Sequence, residues 1–319
     1  MEAFDHRLIK AQARQCLEKD RWAYRKTVLF HSFVTMLTLV LVALADLALS
    51  QAVSHTGGLS GIGTRTILET AQTTLSAAVN ILLPFWSAGI LYTSLRVVRN
   101  QPVENRMLTR GFQRVGPLLR HGLLMLLIYF AAAMVRGNVV MLLSGFLPAN
   151  GAMETLLSQL DLSDPTGYAT ALGQASPALL LQAMLPAMLL FLAVYCGVLL
   201  WLHYRLRMSQ YLLVDELPMG AMAAMLLSNR MTKGSKRKIF RLDLSFWWYY
   251  LLIALISLTV YVPELLALLG VTLPLPAELA NLIFYLVYAL LTLAMSWFAT
   301  PYLQTAYAMA YTALLPTQG

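Results

Sequence analysis

This sequence contains few charged residues. Only 12% of its 319 residues are charged, whereas 59% are hydrophobic. A typical soluble domain contains about 25% charged and about 45–50% apolar residues. Because so little charge does not cover a soluble globule of this length, the composition excludes an ordinary soluble enzyme, a disordered chain and a secreted disulfide scaffold. A protein embedded in lipid is the class that remains.

The residue patterns of catalytic and metal sites are also missing. The two cysteines, Cys16 and Cys196, fit no metal or redox spacing, and no two of the five histidines have the spacing of metal ligands. The glycine-rich stretch 57–63 lacks the lysine of a phosphate-binding loop, and no Gly-x-Ser-x-Gly elbow occurs. We therefore expect no catalytic residue, no metal and no cofactor, and we predict that the protein is not an enzyme.

Long apolar runs, in contrast, are abundant. Six of them are long enough to cross a bilayer as a helix, which takes about 20 residues. Backbone polar groups in hydrocarbon must pair within their own segment, and no alternating pattern indicates a barrel, so the runs predict helices. The predicted spans are about 27–50, 71–95, 117–147, 177–204, 244–269 and 279–303. The fold class is therefore an all-α integral membrane bundle of six transmembrane helices, forming a single polytopic domain over 1–319.

Basic residues concentrate on one side of the predicted spans. Of 23 Lys and Arg residues, 21 lie in the N-terminal segment or in the second and fourth connections, and Arg65 and Arg136 are the exceptions. Cytoplasmic loops carry an excess of Lys and Arg, so we predict cytoplasmic N- and C-termini. Residues 1–26 are predicted as a cytoplasmic amphipathic segment, whose apolar residues are Phe4, Leu8, Cys16, Leu17 and Trp22. The net charge of +8 is spread beside apolar runs, which predicts anionic membrane lipids as partners and no nucleic acid.

The two basic connections share a layout. Residues 215–234 predict an amphipathic interfacial helix on the cytoplasmic side, with Asp215-Glu216 capping its start and Gly234 at its end. The connection 100–116 is a shorter version of the same pattern. The sequence therefore predicts two span–elbow–span units as a degenerate internal repeat.

A recognisable pattern lies at the second of these connections and at the last span. It consists of Met231, Lys233-Gly234, Lys236, Leu244-Ser245-Phe246, Trp248 and the later pair Pro301-Tyr302, which closes the last predicted span. These residues resemble the bacterial membrane family known as domain of unknown function 975, although here Thr232 interrupts the Met-Lys pair. The resemblance covers most of the chain. It implies a multi-pass protein of the bacterial inner membrane and implies no reaction.

Two interpretations of this pattern remain open. In the first it is a membrane-entry elbow, in which Gly234 adopts a left-handed turn and Ser245 caps the fifth span. In the second it is a recognition site for lipid headgroups. The candidate contacts of that site are Lys233, Lys236, Arg237, Lys238 and Arg241.

Three ionisable residues fall within the predicted spans. Asp46, Arg136 and Glu264 each lie at a similar depth, roughly 30 Å from the inner surface at 1.5 Å per residue. They are candidates for an intramembrane polar cluster. The alternatives are that each side chain reaches to nearby water or that the three form a substrate or ion gate.

The sequence predicts an uncharacterised, non-catalytic membrane protein that organises lipids or partner proteins at the cytoplasmic face. The alternative function is a small-molecule or lipid transporter, which a continuous polar cavity among the spans would favour. An intramembrane enzyme would need two convergent titratable groups in a cleft.

Overall fold

The architecture is helical throughout the part of the chain that the structure describes. The computed structural model describes residues 5–19, 21–55, 61–144, 177–215, 219–268 and 277–315, and no strand occurs in these ranges. The α-helices are α1 (His6–Lys19), α2 (Arg21–His55), α3 (Gly61–Val98), α4 (Arg110–Gln113), α5 (Val115–Ser144), α6 (Pro177–Leu206), α7 (Ser209–Val214), α8 (Ala221–Thr232), α9 (Lys236–Leu244), α10 (Trp247–Leu258), α11 (Val262–Leu268), α12 (Ala277–Phe298) and α13 (Thr300–Leu314). Short 3₁₀ helices occupy Asn105–Thr109 and Thr259–Tyr261.

Six helical segments in the described ranges are long and apolar enough to cross a membrane. They are Trp22–Val42, Thr70–Val98, Val115–Val139, Met188–Val214, Trp247–Leu266 and Leu279–Phe298. The predicted all-α class with six transmembrane helices is confirmed. Most large apolar side chains on these segments point outward, as expected when the surrounding solvent is hydrocarbon.

The chain divides into two compact units, one of residues 1–120 with 206–319 and a smaller one of 121–205. The smaller unit contains most of α5 and α6, and both helices expose large apolar side chains such as Leu126 and Trp201. The assignment of a single polytopic domain stays a prediction.

Helix α13 forms the centre of the larger unit. Most of its residues are buried, and these include Leu303, Thr305, Ala306, Tyr307, Ala308, Ala310 and Tyr311. Helix α12 ends at Phe298, and Pro301 lies in the first turn of α13, where its missing N–H costs no hydrogen bond. The prediction that Pro301-Tyr302 closes the last span is therefore wrong, because the pair opens a further helix.

Helix α1 packs against α13 with a narrow apolar stripe. Its buried residues are Ile9, Ala13 and Leu17, which recur every four residues along one face. Of the apolar residues that the sequence gave to the N-terminal segment, Leu17 is buried, whereas Leu8 and Trp22 are exposed. One face of α1 thus contributes to the core of the larger unit.

The connection after α3 lies directly on the backbone of that helix. A Cβ atom added at Gly89 would meet the carbonyl of Leu108 at less than 3.0 Å, and one added at Gly111 would meet the carbonyl of Phe85 equally closely. Only glycine permits this approach. Two glycines therefore fix the segment 105–113 against α3.

Candidate functional site

The second basic connection consists of α8 and α9, here called the basic elbow (residues 221–244). Helix α8 begins at Ala221, with Gly220 as its N-cap. The prediction that Asp215 caps an interfacial helix is wrong, because the helix starts six residues later and the Asp215 carboxylate binds elsewhere, as described below. Glu216, the other predicted cap, lies outside the described residues. The buried Ser228 accepts a hydrogen bond from the backbone N–H of Met208 at 3.2 Å and so joins α8 to the start of α7.

The turn within the basic elbow depends on glycine. Gly234 has a φ of +82°, which confirms the predicted left-handed turn. The prediction that Ser245 caps the fifth span is wrong. Helix α10 begins after Phe246, and the Ser245 hydroxyl instead donates to the carbonyl of Leu242 at 2.7 Å, at the end of α9.

Helix α9 has two contrasting faces. Ile239, Leu242 and Asp243 are buried, whereas the exposed positions include Arg237, Lys238, Phe240, Arg241 and Leu244. Four of these, Arg237, Phe240, Arg241 and Leu244, follow the i, i+3, i+4, i+7 spacing of one helix face. The outer face therefore combines cations with apolar side chains, and the exposed Trp247 continues it into the next span.

The structure gathers most of the predicted headgroup contacts at this face. Among the described residues, Lys233, Arg237, Lys238 and Arg241 have no ion-pair partner, and all four are exposed. Lys236 is half-buried at the start of α9. The cations of the outer face are therefore available to an external anion.

The inner face of α9 is fixed by a buried carboxylate. Asp243 accepts a hydrogen bond from Arg207 Nη1 at 3.0 Å and one from the Tyr307 hydroxyl at 2.5 Å. The guanidinium carbon of Arg207 also lies 4.1 Å from the centre of the Tyr307 ring. Burial raises the pKa of the Tyr307 hydroxyl, and the adjacent carboxylate reinforces the rise, so Tyr307 is a neutral donor.

A second buried carboxylate lies beside α13. Asp215 forms a bidentate pair with Arg99, at 2.7 Å for both contacts, and accepts a third hydrogen bond from the Tyr311 hydroxyl at 2.9 Å. The Tyr311 ring stacks on that of Tyr211 with 5.3 Å between centroids. Burial, followed by the nearby carboxylate, raises the pKa of Tyr311.

These two groups of contacts form a double clamp on α13. Tyr307 and Tyr311 are one helical turn apart, as are Arg207 and Tyr211 on the facing segment. Both carboxylates are occupied by arginine and tyrosine donors. The clamp therefore stabilises the fold and holds α9 in a fixed orientation. Sequence reasoning missed it.

The basic elbow is also joined to α1. Lys10 Nζ donates to the carbonyl of Ser245 at 3.1 Å and lies 4.6 Å from the centre of the Phe246 ring. Burial is the main cause that lowers the pKa of Lys10, and the nearby Arg14 adds to it. These contacts anchor the end of α9 to α1.

The predicted intramembrane cluster lies largely outside the described residues. The side chains of Asp46 and Arg136 belong to the part that is not described, and Glu264 is exposed on α11. Their pairing stays a prediction. Among the described side chains, no three His, Cys, Asp or Glu residues are grouped as a metal site requires.

The larger unit contains a cavity of about 470 Å³ among its membrane-spanning helices. Its lining consists of His31, Ser32, Ser87, Ile90, Leu91, Gln210, Tyr249, Ile253, Ile256, Ser257, Tyr288, Thr292, Met295, Ser296, Thr300 and Gln304. Eleven of these sixteen residues carry a polar side-chain group, and none is Asp, Glu, Lys or Arg. The sequence did not single out this site.

The described fold is that of an all-helical, multi-pass membrane protein. It carries a basic elbow and a cavity whose lining residues are mostly polar. The chain belongs to the family described as protein of unknown function (DUF975), whose model matches residues 9–318. The resemblance seen in the sequence is thereby confirmed. No curated protein and no solved structure matches the chain.

Proposed function

We propose that this is a non-catalytic protein of the bacterial inner membrane, with both termini in the cytoplasm, that organises anionic lipids at its cytoplasmic face. Partner proteins are the other class of ligand that this face could gather. The observation that carries the proposal is the exposed face of α9, where Arg237 and Arg241 alternate with Phe240 and Leu244. The distribution of Lys and Arg along the chain supports the orientation.

The outer face of α9 has the chemistry of an interfacial helix. Apolar side chains of such a helix enter the boundary between headgroups and acyl chains, while its cations meet lipid phosphates. Each Lys or Arg near an anionic surface contributes about 1 kcal/mol. Because Trp247 is exposed immediately after α9, the apolar face continues toward hydrocarbon, which favours lipid over a soluble protein as the ligand.

Preorganisation strengthens this binding. The buried Asp243 and the contact between Lys10 and Ser245 hold the inner side of α9, so its outer cations are presented without a further ordering cost. We expect lipid binding to depend on the charges of this helix more than on the same number of charges elsewhere.

The triple variant R237Q/K238Q/R241Q tests the proposal. Binding of phosphatidylglycerol to the purified protein in a neutral detergent can be followed by the thermal stabilisation that the lipid confers. The apparent affinity of the variant should be about a hundredfold lower, since three cations of about 1 kcal/mol each are lost. Phosphatidylcholine should stabilise parent and variant equally. In the absence of lipid the variant should be as stable as the parent, because the three side chains are exposed.

A matched control is the triple variant R7Q/K19Q/K26Q, which removes the same charge from exposed positions of α1 and α2. Its apparent affinity should change by less than about threefold, since the three cations are divided between two helices and do not lie together on one face. Unchanged phosphatidylglycerol binding in R237Q/K238Q/R241Q, or an equal loss in the control, would contradict the assignment to α9.

A small-molecule or lipid transporter is the second candidate function. The polar cavity among the spanning helices favours it, because transport sites lie between membrane helices and are lined by polar groups. Uptake of a neutral solute into vesicles containing the purified protein would support this candidate.

A further inference from the structure

The cavity runs along the spanning helices. Its wall on α10 extends from Tyr249 to Ser257, roughly 12 Å at 1.5 Å per residue, and the opposite wall follows α12. On α12 the lining residues Tyr288, Thr292 and Ser296 recur every four residues and form one polar stripe. Polar side chains within membrane helices are costly unless they meet water, one another or a ligand. This stripe therefore indicates a site for polar contents.

Hydroxyl groups in the lining present lone pairs to the cavity. Thr292 Oγ1 donates to the Tyr288 carbonyl at 2.8 Å, and Ser296 Oγ donates to the Thr292 carbonyl at 2.8 Å. A hydroxyl whose proton is used by the backbone keeps its acceptor capacity. These two positions thus offer acceptors to a ligand that carries O–H donors.

One lining residue has an unsatisfied polar atom. His31 Nε2 is buried and has no hydrogen-bond partner within the described structure. The imidazole stacks on Trp86 with 5.4 Å between centroids and 8° between planes, so the orientation of the ring is fixed. Because the surrounding atoms cover Nε2, the stacked imidazole serves as a fixed part of the cavity wall and does not supply a hydrogen bond to the contents.

The lining also restricts the charge of the ligand. No Asp, Glu, Lys or Arg is found among the described residues that line the cavity. A charged ligand would lose its hydration there without gaining an opposite charge, which is unfavourable. A volume of about 470 Å³ lies within the range of about 300–1,000 Å³ that small-molecule sites occupy.

We infer that this cavity binds an uncharged, polyhydroxylated group, either a free sugar or the sugar headgroup of a neutral glycolipid. Thr292 and Ser296 accept hydrogen bonds from its hydroxyls, and the ring of His31 forms part of the wall. The site is separate from α9, so it does not depend on lipid binding at the basic elbow.

Calorimetric titration of the full-length protein tests the inference. The protein is kept in a polyoxyethylene detergent, because maltoside detergents carry the very headgroup in question. One arm uses glucose, and the other uses monoglucosyldiacylglycerol in mixed micelles. Binding of glucose identifies a free sugar as a ligand, and binding of the glycolipid alone identifies a lipid headgroup. Either result supports the inference, whereas no binding in both arms overturns it.

The variant T292V/S296A locates the binding site. It removes two hydrogen-bond acceptors with little change of side-chain volume. The affinity for the sugar should fall by roughly tenfold to thirtyfold, since each hydrogen bond contributes about 1 kcal/mol. The control T38V removes the same kind of hydroxyl, which donates to the Val34 carbonyl on α2 outside this cavity, and should change binding less than twofold. Equal binding by T292V/S296A and parent would overturn the inference.

Two further measurements apply even if T292V/S296A does not fold. Dodecyl maltoside should compete with the sugar for the unmodified protein, whereas dodecyl phosphocholine should not. Competition by both detergents or by neither would overturn the inference. The variant R237Q/K238Q/R241Q should bind sugar like the parent, so a failure here is distinguishable from a failure of the lipid proposal.

Discussion

Replacing Asp243 by alanine should destabilise the protein by about 3–5 kcal/mol, because the substitution leaves the guanidinium of Arg207 buried without its counter-charge. The side chain of Asp243 is 11% exposed and that of Arg207 is 13% exposed, so water does not readily replace the lost carboxylate. Tyr307 loses its acceptor at the same time. The free energy of unfolding can be measured by titration with a denaturing detergent and followed by tryptophan fluorescence.

Two companion variants separate this effect from a general loss of an acidic residue. E18A removes an exposed carboxylate of α1 and should stay within about 0.5 kcal/mol of the parent. D243A/R207M removes both charges and should be less destabilised than the sum of D243A and R207M, because the two residues are coupled. Additive single effects, or a D243A effect as small as that of E18A, would refute the clamp.

Substituting alanine at Gly89 or Gly111 should have the next largest effect. Each new Cβ would overlap a backbone carbonyl, and backbone does not yield as a flexible side chain does. We expect the free energy of unfolding to fall by at least about 1–3 kcal/mol in each variant. Denaturation by detergent, followed by tryptophan fluorescence, measures it.

The matched control for these glycine variants is G122A. Gly122 lies within helix α5 and nothing is found within 4 Å of an added Cβ. This variant should therefore be as stable as the parent or more stable by up to about 1 kcal/mol, since alanine favours a helix over glycine. Similar effects of G89A, G111A and G122A would show that segment 105–113 does not depend on close backbone contact.

The membrane-spanning helices were predictable because lipid imposes a local rule. A span needs about 20 consecutive apolar residues whatever its neighbours are, so hydropathy alone finds it. The left-handed Gly234 was predictable for a similar reason, since the conformational freedom of glycine is a local property.

The clamp was not predictable by such rules. Asp243 belongs to a run of basic residues that is typical of a solvated face, and Asp215 has the spacing of a helix cap. Their partners, Tyr307 and Tyr311, are 64 and 96 residues away along the chain, so only tertiary structure joins them. The four-residue spacing of the two tyrosines was the one local signal.

The sequence contains a local pattern that indicates one wall of the cavity, although the sequence analysis did not identify it. Tyr288, Thr292 and Ser296 form a stripe with helical spacing inside an otherwise apolar span. A hydropathy average hides this stripe, because three polar positions in a span of about 20 residues leave the mean apolar. The contributions of His31 and Gln210 depend on long-range packing and could not be inferred.

The central claim is that six helices cross the membrane and leave the basic elbow in the cytoplasm. Reporters fused to the C-terminus test it most directly, with green fluorescent protein active in the cytoplasm and alkaline phosphatase active in the periplasm. We predict fluorescence and no phosphatase activity. An active phosphatase with a dark fluorescent fusion would contradict the claim, because α13 and the basic elbow to which it is clamped would then face the periplasm.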